Sequence, residues 1–357
     1  MPDRQLLLKG RGTSENPPNR FEPLSYSPDP DVLDAAEDLP SPRTRLLRDP
    51  ARTILTPNDS PDVGFTVSVN PYRGCEHGCI YCYARPTHEW LGFSAGLAFE
   101  TQILVKEQAP RLLHDALASP TWQPQVIALS GVTDPYQPVE RQLRLTRGCL
   151  EVLTAWRNPV AIVTKSALVT RDCDLLAELV QVNAVAVFLS ITTLDAGLAR
   201  IMEPRASSPA QRLEAISTLA HAGIPVGAMV APIIPGLTDH EMPAILNAAA
   251  QAGARFAGHT IVRLPYSVGD LFTHWLESHY PDRKRKVLNK IRAIRQGKLN
   301  DARWHLRMKG EGIFAEAIHT LFALACRKAG LATTGPRLST VAFRRPPDTT
   351  QLSLFSV

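Results

Sequence analysis

Short apolar or β-branched runs alternate with longer stretches of helical period along the middle of the chain. The runs fall at 65–69, 126–129, 160–164, 185–190, 226–231 and 259–264, and each reads as a strand. Between several of them, 142–156, 172–179, 209–222 and 241–252 repeat apolar residues at helical spacing. Six strands alternating with helices predict a parallel sheet with crossover helices. A partial (β/α)6 TIM-like barrel fits the roughly 200 residues of 63–265, at the short end of what a full barrel needs. In such sheets the chemistry collects at the carboxyl ends of the strands, so residues just past each run become the candidates.

The flanks follow other rules. Residues 1–62 are rich in Pro, Asp, Ser and Arg with little periodicity, which predicts an extended N-terminal arm. After Pro265 the alternation stops, and 266–343 reads as an appended helical, basic subdomain. The end, 344–357, runs RRPPDTT and then QLSLFSV, a flexible tether with an apolar tip.

Charge sharpens this division. The formal net charge is +5, yet 281–310 holds eleven Lys and Arg against Asp282 and Asp301, a local +9 that leaves the rest of the chain at −4. A basic segment on a mildly acidic protein points to a polyanion, and DNA or another nucleic acid is the expected partner of 283–309; a solvated helical face is the plain alternative. Trp304 and His305 lie among these charges and are candidates for stacking on bases. No run of about 18 apolar residues occurs, and Pro225, Pro232 and Pro235 interrupt the nearest approach to one, so no membrane span is expected. The opening MPDRQLLLKGRG has too short a leucine run for a secretory signal, and a cytoplasmic location is the expectation.

Six cysteines in 357 residues do not make a disulfide scaffold. Cys75, Cys79 and Cys82 crowd into eight residues directly after the first strand, in a C-x3-C-x2-C spacing. Three thiolates leave one iron of a four-iron, four-sulfur cubane without a protein ligand, and that open position is what a substrate-binding cluster needs. Gly74 and Gly78 let the loop curl around it. A zinc site, with His77 or His88 as fourth ligand, is the competing reading.

The string NPYRGCEHGCIYCYARPTHE, with SGVTDPYQPVE and PIIPGLTD, resembles the radical S-adenosylmethionine (SAM) superfamily, in the branch similar to spore photoproduct lyase that is described as DNA-repair-photolyase-like. The resemblance runs over about 10–342. It implies a 4Fe-4S cluster on Cys75, Cys79 and Cys82, SAM chelated to the open iron, an external low-potential electron donor, and reductive cleavage to a 5′-deoxyadenosyl radical that abstracts hydrogen from substrate. Laid over the strand ends, it makes Ser130, Gly131, Lys165 and Ser190 cofactor contacts, with Lys165 and Ser190 the preferred pair for the methionine carboxylate and ribose. Tyr81 falls on the adenine side, and Pro232 shapes the adenine pocket through its backbone.

Asp134 and Tyr136, after the second strand, are candidate catalytic residues facing substrate, Asp134 with a turn or cap role as its alternative. Glu203 and Arg205 read either as an ion pair or as a substrate clamp. Lyase-like enzymes carry a hydrogen-donating cysteine near the second strand end, whereas IALSGVTDPYQ has none, and Tyr136 is the residue placed to substitute. Cys149 and Cys173 fall inside helical patterns as small buried hydrophobes. The functional readings are a radical enzyme on DNA, one that modifies a protein, RNA or small metabolite, and a non-enzymatic iron-sulfur module. Finally, Gln351, Leu352, Leu354 and Phe355 resemble the QL[SD]LF peptide with which bacterial polymerases and repair proteins dock on the replication sliding clamp.

Overall fold

The computed structural model describes residues 8–22 and 42–346. Ten strands build two sheets: β1 (Arg45–Arg48), β2 (Leu55–Pro57), β3 (Val67–Val69), β4 (Tyr72–Arg73), β5 (Gln102–Val105), β6 (Ile127–Leu129), β7 (Val160–Thr164), β8 (Val185–Ser190), β9 (Val226–Ile233) and β10 (Phe256–Ile261). The large sheet runs β10-β9-β8-β7-β6-β3-β2, and β3 through β10 within it are parallel neighbours in chain order. That is the six-stranded partial barrel the alternation predicts. Only β2, at the edge, is antiparallel.

Val160, Ile162, Val185, Val187, Leu189, Val226, Ala228 and Val230 along the central strands are all at most 2% exposed. Outside the sheet, α1 (Leu145–Trp156), α2 (Cys173–Val180), α3 (Pro209–His221) and α4 (Met242–Gln251) close the core with Leu150, Leu153, Leu176, Ile216, Leu219 and Ile245. The α3 boundary has a local cause: Ser208 and Gln211 form a reciprocal capping box, and Pro209 occupies the first turn, where its missing N–H costs nothing. Past the barrel follow α5 (Val268–His279), α6 (Pro281–Ala293) and α7 (Ile313–Ala329), with α7 packed on α4.

Two expectations change. The arm is not merely a lead-in: β1 pairs in parallel with β5 in a small sheet that β4 completes, and β2 adds an edge to the large one. Ile54, 1% exposed, is part of the main core. Extended, charged segments gain these roles by pairing with strands far away in sequence, which composition does not reveal. The last strand also begins earlier than expected, at Phe256, because Phe256 to His259 pair in register with Gly227 to Val230 of β9. Gln351, Leu352, Leu354 and Phe355 lie outside the described residues.

Candidate active site

Where β3 ends, the chain turns through Asn70 into the cysteine loop. Gly74 holds φ +82 with no room for a Cβ, which would come 2.9 Å from the His88 ring and 3.0 Å from the Phe99 carbonyl oxygen. Gly78 holds φ +66, and a Cβ there would approach Glu100 to 2.7 Å. The loop is braced from inside by Arg85, 0% exposed, whose guanidinium donates to the carbonyls of Cys79 at 3.0 Å and Gly96 at 2.9 Å and to Glu100 at 2.5 Å. Sequence reasoning missed Arg85, whose partner Glu100 lies fifteen residues on with nothing in the pattern to join them.

The three thiols are free and buried or half-buried. Burial pushes all of them up from the usual thiol range, and Cys75 is raised further by Asp134 and Cys79. Cys82 packs against the small apolar cluster that holds Cys75, and Cys79 lies on the same short loop. Zinc fits poorly. His77 is held by Asp134, Nδ1 to Oδ2 3.4 Å, and His88 sets Nε2 2.9 Å from the Gln102 carbonyl between Phe93 and Phe99. Among the described residues no three His, Cys, Asp or Glu are posed to hold a single ion. Three thiols spread over one loop suit a cluster that takes each sulfur at a different iron.

Next to the thiols lies a polar cluster built from four elements. Lys165 leaves the end of β7 and donates from Nζ to Ser190 Oγ at 2.9 Å and to the Ala231 carbonyl at 3.3 Å. Ser190 and Thr192 also bring hydroxyls to that carbonyl, at 3.0 Å each, so three strand ends converge on one oxygen. The Lys165 ammonium stands 5.9 Å from the centre of the Tyr81 ring, and its field reaches Cys79 and Cys82. Pro232 follows that shared carbonyl directly. The structure thus gathers Tyr81, Lys165, Ser190 and Pro232 into one site.

Behind this group, Glu203 accepts from the Tyr81 hydroxyl and from Arg212, and Thr192 donates to it at 2.7 Å. Burial alone would raise the Glu203 carboxyl, but Arg212 and Lys165 hold it at about 2, helped by the Tyr81 and Thr192 hydroxyls. Arg212, 1% exposed, also donates to the Ser190 carbonyl at 2.8 Å. The Glu203 partner is therefore Arg212 rather than Arg205, which pairs with Glu76 at 3.1 Å. Arg212 lies in an amphipathic helix, where the sequence pattern reads it as a surface charge.

Ser130 and Gly131 close the second strand end with φ +137 and +114, a conformation L-residues avoid and one that an over-determined site tolerates. The Gly131 carbonyl accepts from Tyr83, the residue after Cys82, at 2.6 Å. Asp134 and Tyr136 are both engaged within the protein. Asp134 spends its oxygens on Thr164 Oγ1 at 2.7 Å, the Lys165 N–H at 2.7 Å and the Tyr136 N–H at 2.9 Å. Burial would raise its carboxyl, but His77 and these donors hold it at about 2. It is a brace between strand ends, the turn role rather than the substrate role. Tyr136 is 1% exposed within the main core beneath Arg171.

Residues 69–249 match the family model of the radical SAM superfamily. A protein of Mycobacterium tuberculosis is 39% identical over 222 residues, 61% of this chain and 65% of its own length. One of Methanocaldococcus jannaschii is 29% identical over 248 residues, 70% of this chain and 88% of its own. The chain thus spans about two thirds of the mycobacterial relative's length. Among solved structures, spore photoproduct lyase complexed with dinucleoside spore photoproduct aligns over 81% of both chains with a TM-score of 0.57 and 17% identity. A mutant of that lyase with bound AdoMet and the same dinucleoside aligns equally well, at 0.57.

The chain belongs to the radical SAM superfamily, whose members bind a 4Fe-4S cluster and SAM. No helix among the described residues is long and apolar enough to cross a membrane.

Proposed function

We propose that this protein is a radical SAM enzyme acting on nucleic acid, with repair-like lyase chemistry on DNA. Cys75, Cys79 and Cys82 would hold the cluster, and the Lys165–Ser190 pair with Tyr81 would hold SAM. When bound, the cluster supplies the electron that cleaves SAM. The protein's own part is positional. Lys165 offers an ammonium for a carboxylate, Tyr81 is fixed by two hydrogen bonds, and the buried Glu203–Arg212 pair keeps both in place.

The observation that carries the nucleic-acid reading is the state of the basic segment. Of its eleven cations, Lys284, Lys290, Arg303 and Arg307 pair with Glu277, Asp239, Asp301 and Asp62, and Arg295 is buried. Arg283, Arg285, Lys286, Arg292, Lys298 and Lys309 have no carboxylate partner among the described residues. Arg283 and Lys286 line a groove of about 480 Å³ facing Phe314 and Leu321. The likeness to a lyase solved with a dinucleoside supports the same reading.

Anaerobic protein with cluster and reductant should release more 5′-deoxyadenosine with damaged DNA than without, and its DNA affinity should fall steeply with salt as counterions are released. Charge reversal at Arg283 and Lys286 should weaken binding by roughly tenfold or more. Salt-insensitive binding, or SAM cleavage indifferent to every nucleic acid offered, would overturn the reading.

We propose clamp docking by Gln351, Leu352, Leu354 and Phe355 as well, residues that follow the last described segment of the sequence. Phe343 packs on Trp156, and the Arg344 and Arg345 side chains donate to the Ala155 and Ser119 carbonyls at 2.9 and 3.2 Å. Full-length protein should bind a bacterial sliding clamp at about micromolar affinity, and truncation after Thr350 or the Leu354→Ala, Phe355→Ala double variant should abolish it. Equal binding by all three, or none by the intact chain, removes the peptide from the account.

A further inference from the structure

Five Phe, Tyr or Trp side chains are exposed among the described residues: Phe21 at 47%, Tyr83 at 48%, Trp90 at 73%, Tyr266 at 66% and Trp304 at 47%. They are not scattered. In one group Phe21 and Trp90 lie 4.1 Å apart, and Arg20 stands 3.5 Å over the Tyr266 ring and 5.1 Å from Phe21. In the other, Arg263 stands 5.3 Å over Tyr83 and Arg307 4.0 Å over Trp304. Two segments join the groups. The turn after Cys82 gives Tyr83 to one and Trp90 to the other, and the turn after β10 gives Arg263 to one and Tyr266 to the other.

The cations differ in how they are satisfied. Arg20 is paired with Glu89 at 2.6 Å and Arg307 with Asp62 at 2.5 Å. Arg263 has no carboxylate partner among the described residues. Its buried Nε lacks any acceptor, Nη1 reaches only the Met308 sulfur at 3.5 Å, and burial together with Arg307 lowers its pKa. A guanidinium left short of an acceptor beside a second guanidinium, at the carboxyl end of the last parallel strand, is a site for an anion.

We propose that these residues form a platform for unpaired nucleotides at the mouth of the active site, with bases stacking on Trp304, Trp90 and Tyr266 and a phosphodiester bound by Arg263. The inference rests on the nucleic-acid reading and names where that polymer is gripped. Rings this exposed, with a guanidinium over one face of Tyr266 and of Trp304, offer flat apolar surface to bases, which a duplex keeps hidden in its own stack. Guanidinium forks match phosphate oxygens. Tyr83 is the innermost ring, one residue from a thiol and bonded to the end of β6, so a strand laid along the platform is led to the cluster loop.

The test uses cluster-loaded, full-length protein and fluorescence anisotropy with four probes of one length: single-stranded DNA, the same strand without bases, its duplex, and single-stranded RNA of the same sequence. The expected order is single strand over duplex and over the abasic strand, with the tighter of DNA and RNA identifying the natural polymer. Trp304→Ala and Trp90→Ala should each weaken single-strand binding by about tenfold, leave abasic binding unchanged, and leave SAM cleavage in the absence of nucleic acid at the wild-type rate. Arg263→Gln should weaken the intact and abasic strands alike. Wild-type affinity for the single strand in both Trp variants, or a preference for duplex, would overturn the platform while leaving nucleic-acid binding intact. Failure of the wild type to bind any probe would overturn both.

Discussion

Alanine at Cys75, Cys79 or Cys82 should abolish iron binding and SAM cleavage without unfolding the chain. Each substitution deletes one sulfur, while the loop stays braced by elements that owe nothing to the thiols: Arg85 on the Cys79 and Gly96 carbonyls, Glu100 behind it, and His77 on Asp134. Two thiolates leave two cubane irons without protein ligands, and a cluster held that way is lost. Cys149 and Cys326, both 0% exposed in helices, serve as internal controls, since Cys149→Ala should retain full iron content. Iron analysis and 5′-deoxyadenosine release measure the contrast. Cleavage by Cys79→Ala at the wild-type rate would end the assignment.

The second large effect is on stability. Glu203→Gln leaves Arg212 as a buried charge without a counter-ion, at a cost of about 3–5 kcal/mol. The substitution also changes the pH profile. The Glu203 carboxyl titrates near 2 in the folded chain against an ordinary value of 4.5, so its contribution is complete above the ordinary value and is lost as pH falls through about 2. Asp134, likewise held near 2 from an ordinary 3.8, fades over the same acid range. Denaturant midpoints of wild type and variant, followed from neutral pH into acid, should converge as pH falls, because the wild type loses what the variant already lacks. Equal midpoints at neutral pH would show that the pair does not hold the site together.

The barrel was legible because its strands are short, apolar and evenly separated by amphipathic helices: β7 and β8 fall on the residues the pattern predicts, and α3 begins where Ser208 and Gln211 cap it. The cysteine loop was legible from spacing; Lys165 and Ser190, which the family resemblance singled out, do meet at the ends of β7 and β8. What remained hidden depends on direction or on distant pairing. Sequence puts Asp134 and Tyr136 after β6 but does not say that one folds into a turn and the other into the core. Arg212 has the spacing of a surface charge on α3, yet it points inward because Glu203, nine residues earlier in the chain, is buried there to meet it. β1 is an RLLR stretch that becomes a strand only through β5, more than fifty residues on.

The ammonium of Lys165 has three N–H groups, and the fold consumes two, on Ser190 and on the Ala231 carbonyl. A free lysine stem would surrender about 1.5–2 kcal/mol of rotamer freedom on gripping an anion. Here that loss is incurred when the chain folds, before any ligand arrives. One N–H remains, aimed by two fixed acceptors, so a docking carboxylate meets a donor that is already immobile and binds against a smaller entropic penalty.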